Sequence, residues 1–211
     1  MAKTFKIFVV LLLLTAIFSA EKTYAQRVLI GPRVGGNMNI FNQKGLTGSW
    51  NGFGATIGGT IDVSFNKTVG LMANLNVFDM RNFKNTQTSG GVTTTQSQSL
   101  AYVTPEVMFK TEFSGFYLVA GPSLGINITN SSEVTQTATG QTPVSQSRDL
   151  EVNAIRFDIK TGAGYTFHLS DNMYMGTDFM LMIPVTDTYN FTGVSNNILT
   201  FQLGAALKFR I

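Results

Sequence analysis

The chain has 211 residues, enough for one domain with a sizeable core, and its 15 basic and 12 acidic residues give a formal charge of +3. Only 13% of residues are charged and 44% are hydrophobic, which excludes general disorder and leaves too little charge for an ordinary soluble surface. Cysteine is absent, which excludes disulfides, thiolate metal sites, a cysteine nucleophile and lipid attachment at an N-terminal cysteine.

The first element is a targeting segment. Lys3 and Lys6 precede a nearly uninterrupted apolar run over 7–20. A membrane-spanning helix needs about 20 apolar residues, whereas a signal-peptide core needs about 7–15. Residues 1–25 therefore read as a signal peptide cleaved after Ala25, and residues 26–211 as one β-barrel domain. Removing Lys3, Lys6, Lys22 and Glu21 leaves 12 basic and 11 acidic residues. The basicity belongs largely to the signal, so it gives no argument for nucleic-acid binding.

Eight segments then alternate apolar with polar or small residues, the period of a strand with two different faces. They span 27–40, 52–65, 69–82, 97–110, 115–128, 151–168, 172–183 and 197–211. In the first, Val28, Ile30, Val34 and Met38 stand against Arg33, Asn37 and Asn39; in the last, Leu199, Phe201, Leu203 and Leu207 stand against Thr200, Gln202, Gly204 and Lys208. The far end of the third segment has no clear phase. Short connections at 66–68, 111–114 and 169–171 alternate with long ones at 41–51, 83–96, 129–150 and 184–196. Short turns on one side and long loops on the other predict an all-β, eight-stranded, antiparallel up-and-down transmembrane barrel. A soluble ligand-binding barrel would carry its charges outside. Here the charges share the crowded, glycine-rich face, which argues for the membrane.

Several motifs carry a resemblance. Tyr102-Val103-Thr104-Pro105-Glu106-Val107-Met108-Phe109-Lys110, the following Gly115-Phe116-Tyr117-Leu118-Val119-Ala120-Gly121-Pro122, and Gly162-Ala163-Gly164-Tyr165 with Leu169-Ser170-Asp171-Asn172 resemble the bacterial outer-membrane β-barrel family that includes PorT-like proteins. The resemblance implies an eight-stranded barrel in the outer membrane of a diderm bacterium. Some relatives take part in protein secretion, but no functional residue transfers with the resemblance.

Chemical motifs are few. His168 is the only histidine and sits at a short-turn rim; Ser170 and Asp171 beside it are no evidence of a hydrolase triad. The glycines of 52–58 continue in a β-branched strand and lack the helix that a phosphate-binding loop requires. No catalytic, cofactor or metal site is expected. The inward parity of Arg33, Asp62, Glu106, Lys110, Arg156, Asp158, Lys160, Asp178 and Lys208 predicts a charged network that fills the lumen. Arg33–Asp62 and Asp178–Lys160 are its expected pairs, with Asp178 set opposite Gly162 by the three-residue connection. Pro105 is expected opposite Pro122. The loops 83–96 and 129–150 read as flexible, hydrated covering. Trp50 reads as an outer interface anchor. A polar change at Gln202 is expected to cost little beside a charge at Leu203.

The function that follows is a non-enzymatic outer-membrane barrel with a structural or surface-interaction role. The alternatives are a narrow path for small or apolar solutes, or an accessory component of a protein-secretion or envelope machine. The expected partners are outer-membrane lipid and envelope or secretion proteins, not nucleic acid. The chain is expected to be a monomer, with its long loops extracellular and both mature termini periplasmic.

Overall fold

The computed structural model describes residues 27–43, 45, 50–138, 140–147, 151–190 and 194–211. The expected signal segment and its cleavage point lie outside them.

Alternation of polarity dictates the architecture, because each strand needs one apolar and one polar surrounding. The described residues form nine strands: β1 (Arg27–Gln43), β2 (Trp50–Ser64), β3 (Val69–Ser89), β4 (Val92–Phe113), β5 (Phe116–Ala138), β6 (Val144–Ser147), β7 (Ile155–Ser170), β8 (Met173–Pro184) and β9 (Asn196–Arg210). Apart from the short β6, each pairs antiparallel with its predecessor, β7 pairing with β5. β9 returns to β1 through a ladder from Leu29↔Arg210 to Gln43↔Asn196. The sheet closes, so the backbone groups of an open edge are satisfied. Along β1, Arg33, Asn37 and Asn39 are buried while Ile30, Val34 and Met38 are exposed. Polar inside and apolar outside is the reverse of a soluble barrel.

Two bulges rephase the sheet. β3 shifts against β4 between Asn76 and Asp79. Val77 and Phe78 are both exposed there, and the buried positions pass from Met72, Asn74 and Asn76 to Asp79, Arg81 and Phe83. β5 shifts against β4 where Tyr102↔Asn127 gives way to Ala101↔Thr129, leaving Ile128 as the extra residue. One extra residue sends every later side chain to the other face. This is why the far end of the third segment has no single phase.

The long connections differ from expectation. Among the described residues, segments 83–96 and 129–147 are largely strand, not loose covering. β3 and β4 run on to a tight turn at Gly90-Gly91, where both residues have positive φ (57° and 79°) and Ser89 pairs with Val92. Two successive positive-φ residues give the turn whose twist matches a hairpin. The threonines that looked like hydrated loop are β-branched and favour the pleat. β5 continues to Ala138, and β6 returns along it from Gln136↔Val144 to Glu133↔Ser147. A polar sheet of β3, β4, β5 and β6 therefore rises past the barrel at this end.

At the other end Ser114-Gly115 joins β4 to β5, and Asp171-Asn172 joins β7 to β8. That second turn is tighter than expected, with Leu169 left as an extra residue between His168↔Tyr174 and Ser170↔Met173. Asp178 consequently pairs with Gly164, not Gly162. Nor does Pro105 face Pro122. Val103↔Ile126 and Glu106↔Ser123 set Pro122 beside Val107, two positions from Pro105. Pro32, Pro105 and Pro122 each sit at a gap in one ladder. Pro32 falls between Ile30↔Phe209 and Arg33↔Ala206, whose constant register shows a missing bond and no bulge, as expected of a residue without an N–H donor.

Candidate functional site

The inward face collects long charged side chains in a narrow space. Among the described residues, Arg33, Arg81, Lys110, Arg156, Lys160 and Lys208 are buried with Asp62, Asp79, Glu106, Asp158 and Asp178. Near-neutrality follows from desolvation, since an unpaired ion in this interior would cost several kcal/mol.

The layer nearest the short turns centres on Asp62. Its carboxylate accepts from Lys110 Nζ at 2.7 Å and from Lys208 Nζ at 2.8 Å. Lys110 also lies 2.7 Å from Glu112, which accepts from Arg27 at 2.9 Å at the half-exposed rim. Both lysines face the Tyr117 ring, with Nζ 5.1 and 5.6 Å from its centroid. A recess of about 520 Å³ opens at this mouth, with Arg27, Glu112, Thr166, His168 and Tyr174 in its lining. His168 is exposed there, its ring 5.0 Å from that of Tyr174.

The middle layer holds two ion pairs joined by Gln202. Lys160 Nζ donates to both oxygens of Glu106 at 2.8 Å, and Asn74 and Asn76 amides donate to the same carboxylate at 2.8 and 3.0 Å. Arg33 and Asp178 form a two-pronged pair, with Nη2 2.6 Å from Oδ1. Gln202 Oε1 accepts from Lys160 at 2.6 Å and from Arg33 at 3.4 Å, while its Nε2 donates to Asn37 and Thr56 at 3.0 and 3.1 Å.

Above this, Arg81 pairs with Asp79 at 2.8 Å and Arg156 with Asp158 at 2.8 Å. The Arg156 guanidinium lies 4.7 Å from the Tyr102 ring centroid. Asn37 and Thr104 donate to Asp79 at 2.8 and 3.1 Å, tying this layer to the one below. An aromatic layer closes the stack. Phe41 stacks on Phe83 at 4.8 Å, with Trp50 and Tyr189 edge-on to Phe41 at 6.1 and 5.7 Å. Tyr189 comes from the connection between β8 and β9, where its backbone bridges Val152. Its hydroxyl donates to Gln98 Oε1. Burial, with Tyr102 nearby, raises that hydroxyl above the ordinary tyrosine range, so it stays a neutral donor.

The nine residues with inward parity in the sequence are all buried, but neither expected pair forms. Asp62 is level with Leu29 on β1, four positions from Arg33, and is taken by the lysines of β4 and β9. Arg33 instead crosses β9 to Asp178, and Lys160 goes to Glu106. Trp50 is also corrected. It is only 6% exposed and packs in the aromatic layer, because its even number shares the inward parity of Thr56 and Asp62. Asp79 and Arg81 escaped sequence reasoning, since the β3 bulge moves odd positions inward. Their i, i+2 spacing, the same as Arg156 and Asp158, is the signal that marks a same-face ion pair on a strand.

Glycine makes one of these pairs possible. A Cβ on Gly204 would meet the Arg33 guanidinium and the Asp178 carboxylate, so the pair passes over β9 only because that position is bare. Gly204→Ala should lower stability by about 1–3 kcal/mol, and Gly204→Val by more, read as thermal unfolding of the folded barrel. Unchanged stability in both would show that the pair can move aside.

The carboxylates of this interior converge on lysine and arginine. Among the described residues no three His, Cys, Asp or Glu side chains group as metal ligands. The stack is chemically a mutually neutralising set of ion pairs beneath an apolar layer.

Residues 10–209 match the outer membrane protein beta-barrel domain family, and the chain belongs to that family. Its setting is therefore an outer membrane, with the exposed apolar face against lipid. No curated protein matches the chain. Similar solved structures include Ail, the attachment invasion locus protein of Yersinia pestis, at 14% identity and TM-score 0.40, covering 86% of this chain and 98% of that one. Neisserial surface protein A is similar at 15% identity and TM-score 0.41, covering 87% and 99%. The outer membrane protein OprG from Pseudomonas aeruginosa is similar at 11% identity and TM-score 0.46, covering 89% and 96%.

Proposed function

We propose that this member of the outer membrane protein β-barrel domain family is a closed, non-enzymatic scaffold that holds a polar sheet above the cell surface. In this reading the chain is exported by a signal peptide removed after Ala25 and works as a monomer in outer-membrane lipid. The short turns and both mature termini are periplasmic, and the projecting sheet is extracellular. The observation that carries the reading is the double filling of the interior, with ion pairs below and the Phe41–Trp50–Phe83–Tyr189 layer above. A passing ion would have to separate pairs such as Lys160–Glu106, leaving each charge poorly solvated.

Planar-bilayer recording tests this directly. The unmodified protein should show no steady conductance, and loaded vesicles should not swell in small solutes. A reproducible single-channel step would overturn the closed reading in favour of solute passage. Orientation has a separate test, helped by the absence of native cysteine. Ser89→Cys and Gln141→Cys should react with an impermeant thiol reagent on intact cells, and Lys67→Cys in the β2–β3 turn should not. Equal labelling of all three would contradict the orientation.

The resemblance of the strand motifs to PorT-like proteins favours a second reading, an accessory part of a secretion or envelope machine. Co-purification of a large complex from native membranes would support it.

A further inference from the structure

The projecting sheet carries a regular array of hydroxyls on one face. Thr-x-Thr occurs in its strands at 86–88, 93–95 and 135–137. The pairing places Thr86, Thr95, Thr135 and Ser145 in one row across β3, β4, β5 and β6. Thr88, Thr93 and Thr137 form a second row above it. Strand spacing sets neighbours in a row about 4.8 Å apart and the rows about 6.8 Å apart. Cross-strand bonds fix the rows: Thr86 to Thr95 at 3.2 Å, Thr88 to Thr93 at 3.0 Å and Thr135 to Ser145 at 2.8 Å. Each such pair uses one of its two protons and leaves the second, with spare lone pairs, for a ligand.

This array depends on both bulges. Without the β3 bulge, Gln87 would share a face with the threonines of β4; without the extra Ile128, so would Gln136. With them, the hydroxyl face continues the outward wall of the barrel. Phe109, Val107 and Val103 on β4 lead upward to Ser99, Ser97, Thr95 and Thr93. A face that begins in lipid and rises past it meets whatever the lipid headgroups present. The two rows contain no charged residue; Lys84 and Glu133 lie one row lower, paired through Ser97. The face lacks the basic cluster that phosphate recognition needs and the apolar side chains of a protein interface.

We propose that this hydroxyl face binds the neutral saccharide of the outer-leaflet glycolipid around the barrel. Sugar rings present the same mixed donors and acceptors at similar separations, and many shallow contacts would hold the barrel's height and tilt. The inference rests on the extracellular orientation proposed above, but its binding test does not. The probe is the dephosphorylated core oligosaccharide released from purified outer-membrane glycolipid, titrated onto the full folded protein in micelles with methyl-labelled threonine. Resonances of the two outward rows should shift, and that of Thr94 on the opposite face should not. The triple variant Thr86→Val, Thr95→Val, Thr135→Val keeps the β-branched shape and should weaken binding about tenfold or more. Thr94→Val should bind as the unmodified protein does. If the triple variant does not fold, the shift map of the unmodified protein still decides. Shifts on both faces, binding that requires the phosphates, or no shift at tens of millimolar saccharide would each overturn the proposal.

Discussion

Glu106→Leu should destabilise the folded barrel by about 3–5 kcal/mol, because it strands a fully buried lysine. Lys160 would keep only Gln202 Oε1 at 2.6 Å as acceptor, and the Asn74 and Asn76 amides would lose theirs. Lys160→Met should cost less. It leaves the Glu106 carboxylate with both asparagine donors, so that ion remains partly satisfied. The double variant Glu106→Leu, Lys160→Met removes both charges and should cost clearly less than the two single losses added. Denaturant unfolding in lipid vesicles, run as a complete cycle, gives the coupling. Additive losses would mean that water enters the middle layer and solvates each ion separately. That outcome would also weaken the closed-lumen reading, because water that reaches Lys160 reaches the whole stack.

The sequence makes the face of a residue legible far more readily than its partner. Alternation places Arg33, Asp62, Arg156, Asp158 and Asp178 inside, because a single-residue error would turn an entire strand's apolar side chains into the lumen. Partner choice depends on stagger between strands, and stagger is set by details that alternation does not encode. The two-residue turn at Asp171-Asn172, together with the extra Leu169, sets Asp178 opposite Gly164 and not Gly162. The bare Gly204 lets Arg33 reach across a strand to Asp178. Asp79 and Arg81 were hidden for a related reason: a bulge reverses parity within a segment whose composition gives no sign of it. Trp50 shows the limit of composition as a guide. A lone tryptophan near a strand end suits an interface belt, yet its even number already placed it with Thr56 and Asp62. The threonine-rich connections lack apolar anchors, the composition of a loop, yet they are strand. β-Branching and cross-strand hydroxyl bonds supply the order there.

Leu203→Arg should cost about 2–4 kcal/mol in a bilayer, since Leu203 is the central residue of β9 and 66% exposed on the lipid face. Its neighbour Gln202 changes what the comparison means. Parity alone assigns Gln202 to a tolerant lumen, but it is fully buried and joins Lys160, Arg33, Asn37 and Thr56. Gln202→Leu would leave the Asn37 and Thr56 oxygens without this donor and remove an acceptor from Lys160, a loss of about 1–3 kcal/mol. Both substitutions therefore destabilise, by mechanisms that bilayer thickness separates. The arginine penalty depends on depth and should shrink in vesicles of short-chain lipid, where the middle of β9 lies closer to water. The Gln202 penalty arises inside the barrel and should be the same in thin and thick bilayers. Unfolding free energies of the two variants in short-chain and long-chain vesicles test this. A Leu203→Arg cost that ignores thickness would place that residue away from the lipid, and a Gln202→Leu cost that follows thickness would mean the interior does not hold its own hydrogen bonds apart from the membrane.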